Sequence, residues 1–342
     1  MATRRGASSS KASSPKAASP RGASFDAKLA RIRALEGEPA VVAAAELKRF
    51  LGEASGYLVG EAARVVAALE LSALSGDVAD AVLRFVAAPA EADKGCFGKR
   101  AMVEALMALD ASAPEAYLAG LRHVQKEPAY GGPVDTAPSL RGMCAHALVE
   151  MDFRWAALEI APMLHDAEPV ARVAAAEALA RTGEVLCAAA LHVKVLSGDA
   201  EPEVLGACYK GLLALDARRY VPLVAEALRQ GEELAAIALG ESRLPEALGV
   251  LEEAVAGAAT GKGTGRFLEG VMLGVALLRS DEGNAFLVRC VAEGSEAKAA
   301  AALGALALHR HDGRLVGHAR EAVAQRGSAK LRGVLEEKLG AA

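Results

Sequence analysis

The chain has 342 residues, too many for one compact core and suited either to several domains or to one long repeat array. Hydrophobic residues make up 53% and aromatic residues only 4%, with alanine abundant, which favours closely packed helices over a β-sandwich and leaves few rings for stacking on nucleic-acid bases. Net charge is −4, yet residues 1–25 carry Arg4, Arg5, Lys11, Lys16 and Arg21 with no acid, which leaves −9 on the remainder: a basic tail precedes an acidic body.

Residues 1–24 are small, basic or proline-rich and are expected to form a disordered tail; Ser14-Pro15-Lys16 and Ser19-Pro20-Arg21 resemble the basic Ser-Pro repeats of chromatin-protein tails. No apolar run is long enough to span a bilayer, and no hydrophobic segment follows the basic N-terminus. A cytoplasmic protein without membrane contact is expected. Helical patterning begins at Phe25, with hairpins predicted over 25–35 and 39–52, then 57–71 and 76–88; Val65, Val66, Leu69, Val82, Leu83 and Val86 are core candidates of the second.

From residue 93 a repeat emerges. Stretches 93–110, 135–152 and 166–183 align, and the tetrapeptide Asp166-Ala167-Glu168-Pro169 returns unchanged at Asp199-Ala200-Glu201-Pro202, 33 residues later. Asp166 reads as an N-cap, Pro169 as a first-turn residue and Gly183 as the stop of a helix with a small-residue stripe at Ala171, Ala174, Ala175 and Ala178. Glu168 with Arg172, and Glu177 with Arg181, have i,i+4 spacing for surface pairs. The capping aspartate recurs as Asp93, Asp135, Asp166 and Asp199, and the basic position reads Lys99, Arg141, Arg172 and then Leu205. Asp110, Asp152 and Asp216 stand where Gly183 does, placed to cap the helices that follow them.

Second helices are predicted at 113–126, 153–165, 184–197, 217–230 and 244–257, with Leu186, Ala189, Ala190, Val193 and Leu196 as the buried stripe of the third and a kink at Pro162. The 42-residue step from Asp93 to Asp135 contains the insertion 127–138, with Tyr130 as a candidate contact residue. A Gly-rich connector, 257–265, precedes two further helical pairs over 266–293 and 295–325, and a charged helix over 328–340 closes the array.

These motifs resemble bacterial HEAT repeats of the PBS-lyase type, over about residues 38–340. The resemblance implies an all-α, right-handed solenoid of about eight or nine hairpins. It also implies that Asp166, Pro169, Arg172, Arg141 and Lys99 do structural work, the aspartates and basic residues of adjacent repeats forming a ladder of hydrogen bonds.

Candidate chemistry is sparse. Ala256–Thr264, AGAATGKGT, lacks the Gly and the Ser or Thr of a phosphate loop; His309, His311 and His318 flank a turn rather than sharing a helix face; the five cysteines show no metal-ligand spacing; and GxSxG, HExxH and Cys–His nucleophile signatures are missing. No catalysis, cofactor or metal is therefore expected. The expected function is a non-catalytic scaffold or adaptor binding a protein partner on the concave second-helix face, through Arg154, Trp155, Arg218, Arg219, Tyr220 and Arg229 and the loop at Tyr130. The alternative is nucleic-acid association through the basic tail or through that patch. A HEAT-like DNA glycosylase or a bilin-lyase-like enzyme is a more distant reading, resting on the repeat signature alone.

Overall fold

The computed structural model describes residues 20–258 and 265–340, with side chains from residue 24 onward. Most of the basic tail and residues 259–264, which make up most of the Gly-rich connector and of the phosphate-loop-like stretch, lie outside the described residues; Ala256–Ala258 end a helix. Among the described residues there are 18 α-helices and one two-stranded hairpin. The protein is all-α, and its chain divides into two compact units, Met1–Ala113 and Pro114–Ala342.

The first unit holds α1 (Pro20–Ala34), α2 (Ala40–Leu51), α3 (Gly56–Ala68), α4 (Ser75–Ala87) and α5 (Phe97–Ala108). Helix α1 starts at Pro20, so residues 20–24 are helical rather than part of the expected tail. Contacts skip a helix: α1 packs on α3 and α3 on α5, while α2 and α4 form a second layer against them. This is the pattern of stacked helical hairpins. Val65, Val66 and Val82 are buried as expected, but Leu83 is exposed and Phe85 takes the inward position on α4.

The second unit repeats the pattern at greater length. It begins with α6 (Pro114–Leu121), the strands β1 (Lys126–Glu127) and β2 (Val134–Asp135), α7 (Pro138–Glu150) and α8 (Ala156–Ile160). It continues through α9 (Pro169–Arg181), α10 (Val185–Ser197), α11 (Pro202–Arg229), α12 (Glu233–Ser242) and α13 (Pro245–Ala258). Helices α14 (Gly265–Leu277), α15 (Asp281–Glu293), α16 (Glu296–Leu306), α17 (Gly313–Arg326) and α18 (Ala329–Leu339) complete it. Helices α7, α9, the first part of α11, α12, α14, α16 and α18 each pack on the next and form one layer; α8, α10, the last part of α11, α13, α15 and α17 form the other. Small residues set the spacing: Ala171, Ala175 and Ala178 of α9 are fully buried, and a Cβ at Gly142 of α7 would come within 2.7 Å of Ala174 Cβ.

Several local expectations change. Helix α9 starts at Pro169 with Glu168 as its N-cap; Asp166, two residues further out, accepts from Glu168 N at 2.9 Å and closes the turn that leads into the helix. Asp110 and Asp152 do not cap the following helices: both have φ near +50°, the left-handed conformation that Gly183 adopts at φ +70°, and they terminate α5 and α7 as Gly183 terminates α9. Asp216 does cap, accepting from Arg219 N at 3.2 Å where the backbone of α11 breaks from helical angles. At Pro162 the α-helix has given way to a 3-10 turn, Ala161–His165, in accord with the missing N–H. A short β1–β2 ladder closes the insertion 127–138 at its base, pairing Lys126 with Asp135 and Glu127 with Val134, where the sequence pattern predicts no strand.

The largest correction concerns α10. Its buried residues are Cys187, Ala188, Leu191 and Lys194, at steps that define one helix face. Leu186, Val193 and Leu196, expected in the core, are 83%, 57% and 73% exposed, and Ala189 lies beside them in solvent.

Candidate protein-interaction surface

Two constellations in the second unit bring together the residues that the sequence singles out. The first is a ladder of charges threaded between the hairpins. Asp135 accepts from the backbone N–H groups of Gln125 and Ala137 at 3.1 and 3.0 Å and from Arg141 Nη1 at 2.9 Å. Arg141, 3% exposed, reaches on through Nη2 to Asp166 Oδ1 at 2.8 Å. One repeat later, Arg172 donates to both oxygens of Asp199 at 2.8 and 2.7 Å, and Lys194 adds a contact to Asp199 Oδ2 at 2.7 Å. The i,i+4 pairs predicted within α9 do not form: Arg172 is held by Asp199, and Arg181 pairs with Glu150 of α7.

Burial alone would raise the pKa of Asp199, but hydrogen bonds from Arg172, Lys194 and Glu201 N–H outweigh it and hold the carboxyl far below its ordinary 3.8. Asp135 is likewise lowered, the donors at Ala137, Gln125 and Arg141 prevailing over desolvation. Lys99 makes the corresponding contact in the first unit, where its buried ammonium lies 3.1 Å from Asp93 Oδ2.

The second constellation is the outer face of the second-layer helices. Trp155 and Leu158 at α8 are 49% and 68% exposed, and the α10 stripe follows them in the same layer. Arg154 lies over the Trp155 ring at 4.7 Å from its centroid, and Arg218 and Arg219 are exposed at the start of the second part of α11. Among the described residues, no ion pair engages Arg154, Arg218 or Arg219, whereas nearby Arg122, Arg172 and Arg181 each end on a carboxylate. Two expected contact residues sit differently. Tyr220 is buried, edge-on to His192 with ring centroids 5.5 Å apart, so it supports the layer from within; Arg229 is exposed but paired with Glu226. Tyr130, at the tip of the β1–β2 hairpin, is fully exposed.

On the opposite layer, a cleft of about 610 Å³ opens over the small residues Ala180, Ala207, Gly211 and Ala238. His146 stands at its edge with Nε2 3.9 Å from Glu177 Oε2; burial, reinforced by Arg181, lowers its pKa, and its Nδ1 is buried with no hydrogen-bond partner among the described residues. The cleft admits an apolar group, and its charged rim includes the Lys210–Glu241 pair at 2.7 Å. The five cysteines are all buried and reduced; burial pushes Cys208 up to about 12, and Tyr209 likewise up to about 12. His309 Nε2 lies 2.9 Å from the Ala276 carbonyl, and among the described residues no group of three or more His, Cys, Asp or Glu is placed to hold a metal ion. No described helix is long and apolar enough to cross a membrane.

No protein-family profile matches the chain. No curated protein matches it either. Among solved structures, it is similar to human deoxyhypusine hydroxylase in complex with glycerol, at 18% identity and a TM-score of 0.33 over 78% of this chain and 96% of the hydroxylase. That protein is an enzyme, so the expectation that this chain lacks catalysis is withdrawn. A likeness this distant transfers neither activity nor site residues to the present chain.

Proposed function

We propose that the chain is a protein-binding scaffold or adaptor whose partner docks on the outer face of the second-layer helices. The observation that carries this reading is the α10 stripe, where Leu186, Val193 and Leu196 stand in solvent on a helix that buries a lysine. Leaving three large aliphatic side chains exposed forgoes roughly 1.5 to 3 kcal/mol of burial each, a cost that a partner covering them would recover. The same proposal includes the finer architecture: a bacterial, cytoplasmic, PBS-lyase-type HEAT-like protein, wound as a right-handed solenoid of about eight or nine hairpins with this layer on its concave side.

Affinity capture with the wild-type chain and with a Leu186→Asp/Val193→Asp variant tests the reading. Partners held by the wild type and lost by the variant are expected; identical captures, or none with either, overturn it. Circular dichroism confirms that the variant retains its helices. A second reading is favoured by a separate observation, the five cations and no acid of residues 1–25. It predicts salt-sensitive DNA binding that disappears when residues 1–24 are deleted. DNA binding that survives the deletion would move the contact to Arg154, Arg218 and Arg219.

A further inference from the structure

We infer that the segment recognised by this surface is an acidic amphipathic helix of a protein partner, a statement that rests on the scaffold reading above and specifies its ligand. Three features of the layer define the occupant. First, the exposed positions Leu186, Ala189, Val193 and Leu196 advance along α10 by three or four residues and make a straight apolar ridge. A helix laid against such a ridge meets it with its own side chains at i, i+3, i+4 and i+7, the spacing by which amphipathic helices dock.

Second, the neighbouring elements carry cations without an ion-pair partner among the described residues. Arg219 lies over the ring of Tyr220, which meets His192 of α10, with Arg218 beside it in sequence, and Arg154 immediately precedes α8. They belong to a body whose net charge is −9 once the first 25 residues are set aside. Carboxylates flanking the apolar face of a docking helix would meet these guanidiniums at the rim, where charge chooses the partner and speeds its approach. Third, aliphatic side chains dominate the ridge. Nucleic acid asks for cations interleaved with stackable rings, and Trp155 is the only tryptophan in the chain, so leucines and valines at the centre fit a peptide better than phosphates and bases.

The test is a selection from a displayed random library of peptides of about 20 residues, run on the full chain and counter-selected on the Leu186→Asp/Val193→Asp variant. Enriched peptides are expected to carry apolar residues at i, i+3 or i+4 and i+7 with a net negative charge. They should bind the wild type at least about tenfold more tightly than an Arg218→Glu/Arg219→Glu variant, with the difference shrinking as salt is raised. Enrichment of basic, proline-rich or extended peptides, or equal binding to the arginine variant, overturns the inferred ligand but leaves the scaffold reading standing. Enrichment that ignores the counter-selection, or none at all, overturns both. Two controls distinguish other occupants: fluorescence anisotropy with a 20-nucleotide single strand, and sedimentation velocity of the chain alone. DNA binding lost in the arginine variant, or self-association lost in the Leu186 variant, would assign the ridge to nucleic acid or to a second copy and overturn the inference.

Discussion

Helices α9 and α10 are consecutive, equal in length and both rich in alanine, yet they use their surfaces in opposite ways. Helix α9 buries its small residues against α7 and α11, sends Arg172 into the ladder and leaves Glu177 and Arg181 on its exposed side. Helix α10 buries Lys194 and leaves leucines in water. The difference teaches that the ladder and the rotation of α10 go together. Bringing Lys194 to Asp199 at 2.7 Å turns Cys187, Ala188 and Leu191 inward on the same face, and rolling the helix to bury Leu186 and Val193 would pull the ammonium off its carboxylate.

Breaking the ladder at its most enclosed point should have the largest effect. Arg141→Ala leaves Asp135 buried without its cation and is expected to cost about 3 to 5 kcal/mol in urea unfolding monitored by circular dichroism. Asp199→Asn should cost less at neutral pH, about 2 to 4 kcal/mol, and should also change the pH profile. Because the folded pKa of Asp199 lies below its ordinary value, the unfolded chain takes up the proton first on acidification. The stabilisation is therefore complete above about pH 4 and lost as pH falls further, and stability curves of the variant should be flatter there than those of the wild type.

Lys194→Leu probes the rotation of α10 itself. A loss of about 1 to 2 kcal/mol is expected, because Arg172 still neutralises Asp199. If the ladder governs the phase, a Leu186→Cys reporter that labels rapidly in the native protein should be protected once Lys194 is Leu; unchanged labelling would show that hairpin closure alone fixes the rotation. The smallest effect is expected for Leu186→Ser, within about 0.5 kcal/mol of the wild type, since the side chain it removes is in solvent. A larger loss would mean that the ridge is covered in the free protein.

The helices and their spacing were legible in the sequence because alanine-rich stripes, prolines at helix starts and the returning Asp-Ala-Glu-Pro tetrapeptide are local signals. The phase of α10 was not, because the helix is apolar on both faces and hydrophobic periodicity alone cannot choose between them. The signal that decides is Lys194, seven residues after Cys187 and three after Leu191, which becomes informative only when Asp199 is known to lie inside. Tyr220 was misjudged for a related reason: its neighbours Arg218 and Arg219 are exposed, but a helix turns 100° per residue, and His192 waits on the inner side. Asp110 and Asp152 misled because aspartate serves both at helix starts and in the left-handed turn that ends a helix.

Helices α12 and α14 meet with almost nothing between them: a Cβ at Gly240 would fall on the Gly274 carbonyl, and a Cβ at Gly274 would reach the Ala236 carbonyl at 2.5 Å. Backbone that touches backbone has no side chain to yield, so one added methyl at 240 forces the helices apart. Lengthening a connector is far milder, since doubling a loop costs only about 0.6 kcal/mol in closure entropy. This part of the chain should therefore tolerate several extra residues between α13 and α14 more readily than three hydrogens and a carbon at position 240.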